Sequence, residues 1–413
     1  MTPQVKQRIE QIRRGEVPEK YTQIKDGIFP SDWINKKMKQ WISLEERPVT
    51  LQDNEDYELV TVRRAYGGVD SRGIYKGKDV LVKNYFSVAK DDFIISKRQI
   101  AHGACGLVPE KLHGAVVSNE YNVFKANVGT NIHFFNLMMQ LPHYKRLFYL
   151  MSDGVHIEKL LFKTSDWMKR SLAMPPLAEQ KKIAEILSIQ DKLIALKEKL
   201  IKEKKRQKKA LMQHLLTGKK RVPDFSDTWR TSKLSNVLVE GSKIGVTDTS
   251  LYKKMTVKLA FKGLEFTKTD REMVDTRPFY IRNKNEIIIG KQNYFNGSVA
   301  LVTDEFDGCI CSNAIMSFSV KNADVKFILE YISQTDFMKK REMLANGTGQ
   351  KELSEKDFLN FDILLPCIDE QKRIGAIAST CDSEILLLQK ELDQEKQKKN
   401  ALMQLLLTGI VRV

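Results

Sequence analysis

Four short stretches hold the side chains best suited to chemistry, and that chemistry is hydrogen bonding to a polyanion. "VRRAYGGVDSRGIY" (62–75) places Arg63, Arg64 and Arg72 around glycines. "SKRQIAHG" sets Lys97, Arg98 and Gln99 directly after an apolar run, and "GKQNYFNG" sets Lys291, Gln292, Asn293 and Tyr294 in the equivalent place. "YIRNKNE" adds Arg282 and Lys284. Reading double-stranded DNA requires cations for phosphate beside amide and guanidinium groups that match base edges, which is what these stretches offer. Each is equally a solvated turn when taken alone. A longer basic run, "KEKLIKEKKRQKK" (197–209), suits a DNA backbone, an acidic protein surface or, equally, a solvated helix flank.

Bond-breaking chemistry finds no such support. "MPPLAEQ" has prolines that a helix start explains, and "YGGVDSRG" has glycines without the strand–turn–helix setting of a cofactor loop. No G-x-x-x-x-G-K-[ST] sequence provides for ATP, and Glu-x-Lys triplets such as Glu203–Lys205 stand alone. The six histidines are dispersed. Five cysteines, Cys105, Cys309, Cys311, Cys367 and Cys381, are odd in number and scattered, as in a reducing compartment. Cys309 and Cys311 alternate in "GCICSNAIMSF" and are expected in the core of a strand. The 413 residues carry 68 Lys and Arg against 52 Asp and Glu, a formal charge of +16. That balance suits a polyanion, general solubility or anionic lipid. No segment reads as a secretory leader or a membrane span, so the chain is expected in the cytoplasm.

The elements that must position these residues occur twice. "PPLAEQKKIAEIL" (175–187) and "LLPCIDEQKRIGAI" (364–377) align Glu179 with Glu370, an offset of 191. "ALMQHLLTG" and "ALMQLLLTG" keep the same offset, pairing Gly218 with Gly409. Apolar residues fall at helical spacing: Ile183, Leu187, Ile194, Ile201, Leu211 and Leu215 in the first copy, and Ile374, Ala378, Cys381, Ile385, Leu388, Leu392, Leu402 and Leu406 in the second. Forty residues make a helix of roughly 60 Å. Pro176 and Pro366 suit the starts, Gly218 and Gly409 the stops. Each apolar stripe needs cover, and an antiparallel pairing of the two copies supplies it. Gln190, Lys197, Lys204 and Lys208, with Glu395 and Lys399, interrupt the stripe and should meet polar side chains opposite.

Between the helices the period becomes two. Strands are predicted over 79–88, 91–97 and 114–126, and again over 285–291, 297–304 and 308–320. Lys97, Gly103, Gly114 and Ser118 recur 194 residues later as Lys291, Gly297, Gly308 and Ser312. "GIFPSDW" (27–33) and "VPDFSDTW" (222–229) open each copy, and "TSDWMKRSL" and "QTDFMKKREML" end them in helix-rich patches. The predicted architecture is α+β: two strand-rich domains alternating with two long helices, which pair as an antiparallel intramolecular coiled coil in a pseudo-twofold tandem repeat. The predicted boundaries are 1–170, an N-terminal extension with the first domain; 171–218, the first long helix; 219–362, the second domain; and 363–413, the second long helix.

These repeated motifs, with the openings that end at Trp33 and Trp229 and with "KLSNV" (233–237), make the whole chain resemble the DNA-specificity subunit of type I restriction-modification systems. The resemblance departs from the family pattern at "DWINKKMKQW", which lacks the "KL" after its tryptophan, and in residues 1–26, a charged extension with room for a short helix. It implies two target recognition domains that read the halves of a bipartite duplex, in defence against foreign DNA. The helices would then be spacers and docking surfaces for two modification (methyltransferase) subunits, joined by restriction (endonuclease and translocase) subunits. It implies no catalysis and no cofactor in this chain, with S-adenosylmethionine, ATP and Mg used by the partners. The competing expectation is a coiled-coil adaptor that joins two proteins without DNA specificity.

Overall fold

A computed structural model describes residues 2–25, 27–154, 160–267, 277–342 and 352–413, which form two compact units: 1–196 with 392–413, and 197–391. In the first unit the apolar run Phe93–Ser96 is buried throughout, because it lies inside a four-stranded antiparallel sheet ordered Cys105–Leu107, Phe93–Ser96, Tyr121–Ala126, Ile42–Leu44. Helices Ile132–Met138 and Pro142–Leu150 contribute Phe134, Phe135 and Phe148 to its core, and Trp167 is packed against Phe124, Phe135 and Phe148. Asn131 caps the first of these helices by accepting from Phe134 N at 2.9 Å. A second sheet is ordered Pro48–Thr50, Asn84–Ser87, Val116–Ser118, Asp56–Val62, Val69–Lys76, with a parallel step between Val116–Ser118 and Asp56–Val62. The N-terminal extension forms the helix Pro3–Arg13.

The second unit repeats the first sheet in the same order: Val299–Leu301, Ile287–Gly290, Ile315–Val320, Leu238–Glu240. Cys309 and Cys311 are buried in its core beside Ile288 and Ala300. Where the first unit has its second sheet, the described residues here form two antiparallel pairs, the hairpin Met255–Val257 with Leu264–Phe266 and the longer-range pair Phe279–Ile281 with Ile310–Ser312. The terminal patches contain helices Thr164–Trp167 and Thr335–Arg341; Met343 and Leu344 lie outside the described residues.

Three predicted strands differ. Only Asn84–Ser87 of 79–88 is a strand: Gly77–Asp79 is a 3-10 turn and Leu81 is fully exposed. Lys83 Nζ ties this turn down, donating to Gly77 O at 2.6 Å and Asp53 Oδ1 at 2.7 Å. The stretch 114–126 breaks at Asn119–Glu120 and 308–320 breaks at Asn313–Ala314, so that Val116–Ser118 and Tyr121–Ala126, like Ile310–Ser312 and Ile315–Val320, enter different sheets. The predicted boundaries at 171 and 363 fall within strands Ser171–Met174 and Asp362–Leu365, which pair with Ile34–Lys37 and Arg230–Lys233.

The long helices are Leu177–Leu215 and Ile368–Leu406, each of 39 residues. Gly218 and Gly409 follow them with φ of +68° and +70°, left-handed stops that a residue with a Cβ adopts only under strain. In the first unit Ile183, Leu187 and Leu406 are buried and Ile194, Leu392 and Leu402 half-buried. Gln190 Nε2 donates to Glu395 Oε2 at 2.7 Å, and Lys399 meets Asp191 at 2.5 Å. In the second unit Leu215, Ile374 and Ile385 are buried and Leu211 and Leu388 half-buried. Lys197 pairs with Glu391, Lys204 with Glu384 and Lys208 with Asp382, at 2.7, 2.6 and 2.7 Å. In the second unit partner numbers fall as the first helix's numbers rise, so the pairing is antiparallel, and the polar interruptions meet polar side chains opposite.

Candidate nucleic-acid interface

In the first unit, strands Asp56–Val62 and Val69–Lys76 form a hairpin whose loop carries Arg63 and Arg64. Ala65 and Tyr66 have φ of +55° and +57°, and Gly67 N donates back to Arg64 O at 3.1 Å, the signature of a type I′ turn. Ala65 N donates to His102 O at 2.7 Å and Tyr66 N to Gly103 O at 2.9 Å. Gly103, with φ of +75°, closes the 3-10 turn Ile100–His102 that follows Lys97, Arg98 and Gln99. Two candidate stretches separated in sequence are thereby joined. Arg63 donates to Asp70 at 2.6 Å and Arg98 to Glu120 at 2.7 Å, while Lys97 Nζ donates to Asn119 O at 2.6 Å. The Ser71 amide, then Lys111, hold the Asp70 carboxyl below its ordinary pKa. Arg64 and Arg72 are exposed, and Gln99 is half-buried.

The second unit builds the same joint from other residues. Ala260 and Phe261 have φ of +56° and +57°, and their amides donate to Asn296 O at 2.8 Å and Gly297 O at 2.9 Å. Gly297, with φ of +76°, closes the 3-10 turn Tyr294–Asn296 after Lys291, Gln292 and Asn293. Lys258, Leu259 and Lys262 thus belong to the site although no sequence argument selected them. The available signal was the alignment of "RRAYGG" (63–68) with "KLAFKG" (258–263), offset by 195 where neighbouring blocks are offset by 194.

The structure separates the remaining candidates. Gln292 is exposed; Lys291 is largely covered and pairs with Glu355 at 3.0 Å; Asn293 Oδ1 accepts from Asn296 Nδ2 at 3.3 Å. Lys284 is at the surface, 2.5 Å from Asp304. Arg282 and Tyr294 are corrections. Arg282 is 2% exposed, with Nε donating to Cys311 Sγ at 3.2 Å and Nη1 to Ser242 O at 2.9 Å, so its guanidinium serves the interior. Tyr294 is fully buried, its hydroxyl donates to Ile332 O at 2.7 Å, and burial pushes its pKa well up. Neither side chain is presented at a surface. Position after an apolar strand was the sequence signal for Tyr294 and cationic type the signal for Arg282, and neither distinguishes an outward from an inward side chain.

A second set of residues escaped the sequence reading because its logic is reciprocal. In the second unit Arg221, just beyond the first long helix, donates from Nε and Nη2 to both oxygens of Glu370 at 2.8 Å, and Trp229 Nε1 adds a bond at 3.1 Å. In the first unit Arg412, just beyond the second long helix, grips Glu179 in the same way. The neighbouring glutamines anchor the domains. Gln180 Oε1 accepts from Asn131 N at 2.8 Å and Gln371 Oε1 from Asp324 N at 3.1 Å, each at the cap of a domain helix. The repeated Glu-Gln pair is therefore an assembly device.

Among the described residues no group of His, Cys, Asp and Glu could hold a metal ion, and no helix is long and apolar enough to cross a membrane. A family profile described as the type I restriction modification DNA specificity domain matches residues 30–206 and 226–396, one copy spanning each joint. The chain belongs to this family. It is a DNA-recognition specificity subunit, a non-catalytic role. It is 24% identical to the type I restriction enzyme MjaX specificity subunit of Methanocaldococcus jannaschii, over 96% of this chain and 97% of that protein. It is 26% identical to the MjaVIII specificity subunit of the same organism, over 62% of this chain and 65% of that one. In fold it is similar to the type I restriction-modification S subunit from M. genitalium, with TM-score 0.55 and 15% identity over 91% of this chain and 96% of the other. A chain from a study of complex assembly and conformational transition in a type I system also gives TM-score 0.55, at 16% identity over 93% and 99%.

Proposed function

We propose that each unit of this specificity subunit reads one half of a bipartite duplex through its own joint of hairpin and turn. The observation that carries this is the recurrence of one joint with different side chains: Arg63, Arg64, Arg98 and Gln99 in the first unit, Lys258, Lys262, Gln292 and Asn293 in the second. Identical backbone with divergent donors suits two readers of unlike sequence, since base edges discriminate by donor and acceptor pattern while phosphates require only charge. Two modification subunits bind the long helices and methylate adenine with S-adenosylmethionine. Restriction subunits add ATP- and Mg-dependent cleavage, and this chain holds none of these cofactors.

The test replaces residues 34–165 with the corresponding domain of a relative and sequences methylated motifs in cells that also carry the modification subunit. One half of the motif should change and the other persist. A change in both halves contradicts independent readers, and no bipartite motif with the intact chain supports an adaptor without DNA specificity.

A further inference from the structure

The turns at Ala65–Tyr66 and Ala260–Phe261 are made from residues poorly suited to them. Two consecutive left-handed residues favour Asn-Gly, because a Cβ crowds the following carbonyl in that conformation. Both units nevertheless use alanine followed by an aromatic. Closing the hairpin does not require the ring. The ring instead lies flat against the glycine of the neighbouring turn. A Cβ added at Gly103 would come within 3.0 Å of the Tyr66 ring, and one at Gly297 within 3.0 Å of the Phe261 ring. Each glycine thus has two reasons to be glycine, its positive φ and the ring on its face. With the two hydrogen bonds that the hairpin amides donate to the turn, the ring clamps the basic hairpin onto the turn that carries the polar candidates. Phe261 remains 49% exposed, flanked by Lys258, Leu259 and Lys262, so the second unit keeps both backbone strain and an exposed aromatic at one point. Such costs collect where function holds a geometry in place.

We propose that Tyr66 and Phe261 are the positioning residues of the two readers: each ring, seated on Gly103 or Gly297, fixes its cationic hairpin against the polar turn so that the two address one half-site as a rigid unit. This rests on the reading that the joint in each unit faces DNA. Rigidity matters there because base discrimination requires donors held in place before contact.

The deciding variant is A260N/F261G, which gives the turn its favoured residues and removes the ring. The full chain, assembled with its modification subunit, is assayed for binding to duplexes matched at both half-sites or mismatched at one. The variant should melt at or above the wild-type temperature, yet lose at least ten-fold of its preference for the correct second half-site, with the first half-site read as before. Phe261→Tyr, which places the first unit's ring on Gly297, should retain recognition. Phe261→Leu, which keeps the Ala260 turn and most of the apolar bulk, should lose it, and this covers the case in which the double variant fails to fold. Undiminished preference in either A260N/F261G or Phe261→Leu overturns the proposal. A wild-type complex without preference at either half-site overturns the underlying reading instead.

Discussion

Arg412 and Glu179, 233 residues apart, meet through two hydrogen bonds of 2.7 Å, from Nε to one carboxylate oxygen and from Nη2 to the other. The same guanidinium reaches Asp32 at 2.6 and 2.8 Å. Glu179 is 7% exposed, so this pair fastens the chain's last residues to the start of the first long helix through a covered carboxylate.

Removing Arg412 strands that carboxylate. Breaking a fully buried pair costs about 3–5 kcal/mol. Because the Arg412 side chain is 37% exposed, solvent screening reduces this, and Arg412→Ala should destabilise by roughly 2–3 kcal/mol in urea denaturation. The double variant Arg412→Ala/Glu179→Ala should recover part of the loss by removing the stranded charge. A double variant less stable than Arg412→Ala would show that Glu179 has other essential partners.

Asp382 sets an acid limit in the second unit. Burial acts to raise its pKa, but hydrogen bonds from Lys208 and Lys326 overcome this and hold the carboxyl below its ordinary value. A depressed carboxyl contributes stability that is complete above its unfolded pKa and is lost as pH falls through the folded one. The stability advantage of wild type over Asp382→Asn should therefore be constant near neutrality and shrink below about pH 4. Melting curves from pH 7 to pH 3 check this; an advantage that grows toward acid would reverse the assignment.

Lys291 and Gln292 are adjacent but should fail in different ways. Gln292 is exposed, so Gln292→Ala should leave stability within about 0.5 kcal/mol while costing about 1–3 kcal/mol of binding on the correct site. Lys291→Ala removes the cation 3.0 Å from Glu355, whose carboxyl it helps hold below its ordinary pKa against the effect of burial, and should cost about 1–3 kcal/mol of stability. Denaturation and binding at two salt concentrations separate the two. Equal loss of affinity for matched and mismatched DNA with Gln292→Ala would make it a phosphate contact.

The sequence by itself determined the tandem plan, the two helices of matched length, their stops at Gly218 and Gly409, and the phase of the seam through Ile183, Leu187, Ile374 and Ile385. These follow from periodicity and constant offset, which are properties of a line of residues. It also located the basic turns after Ile95 and Ile289, because a strand that is apolar throughout must end where charge begins. Tertiary structure alone decided which side of each turn faces outward, and so turned Arg282 and Tyr294 inward while leaving Gln292 exposed. It alone brought Ala65 to His102 and Ala260 to Asn296, and closed Arg221 on Glu370 as Arg412 closes on Glu179. The physical reason is that burial and hydrogen-bond partnership belong to pairs of elements distant along the chain, and a residue's type and local spacing do not state which distant element will cover it.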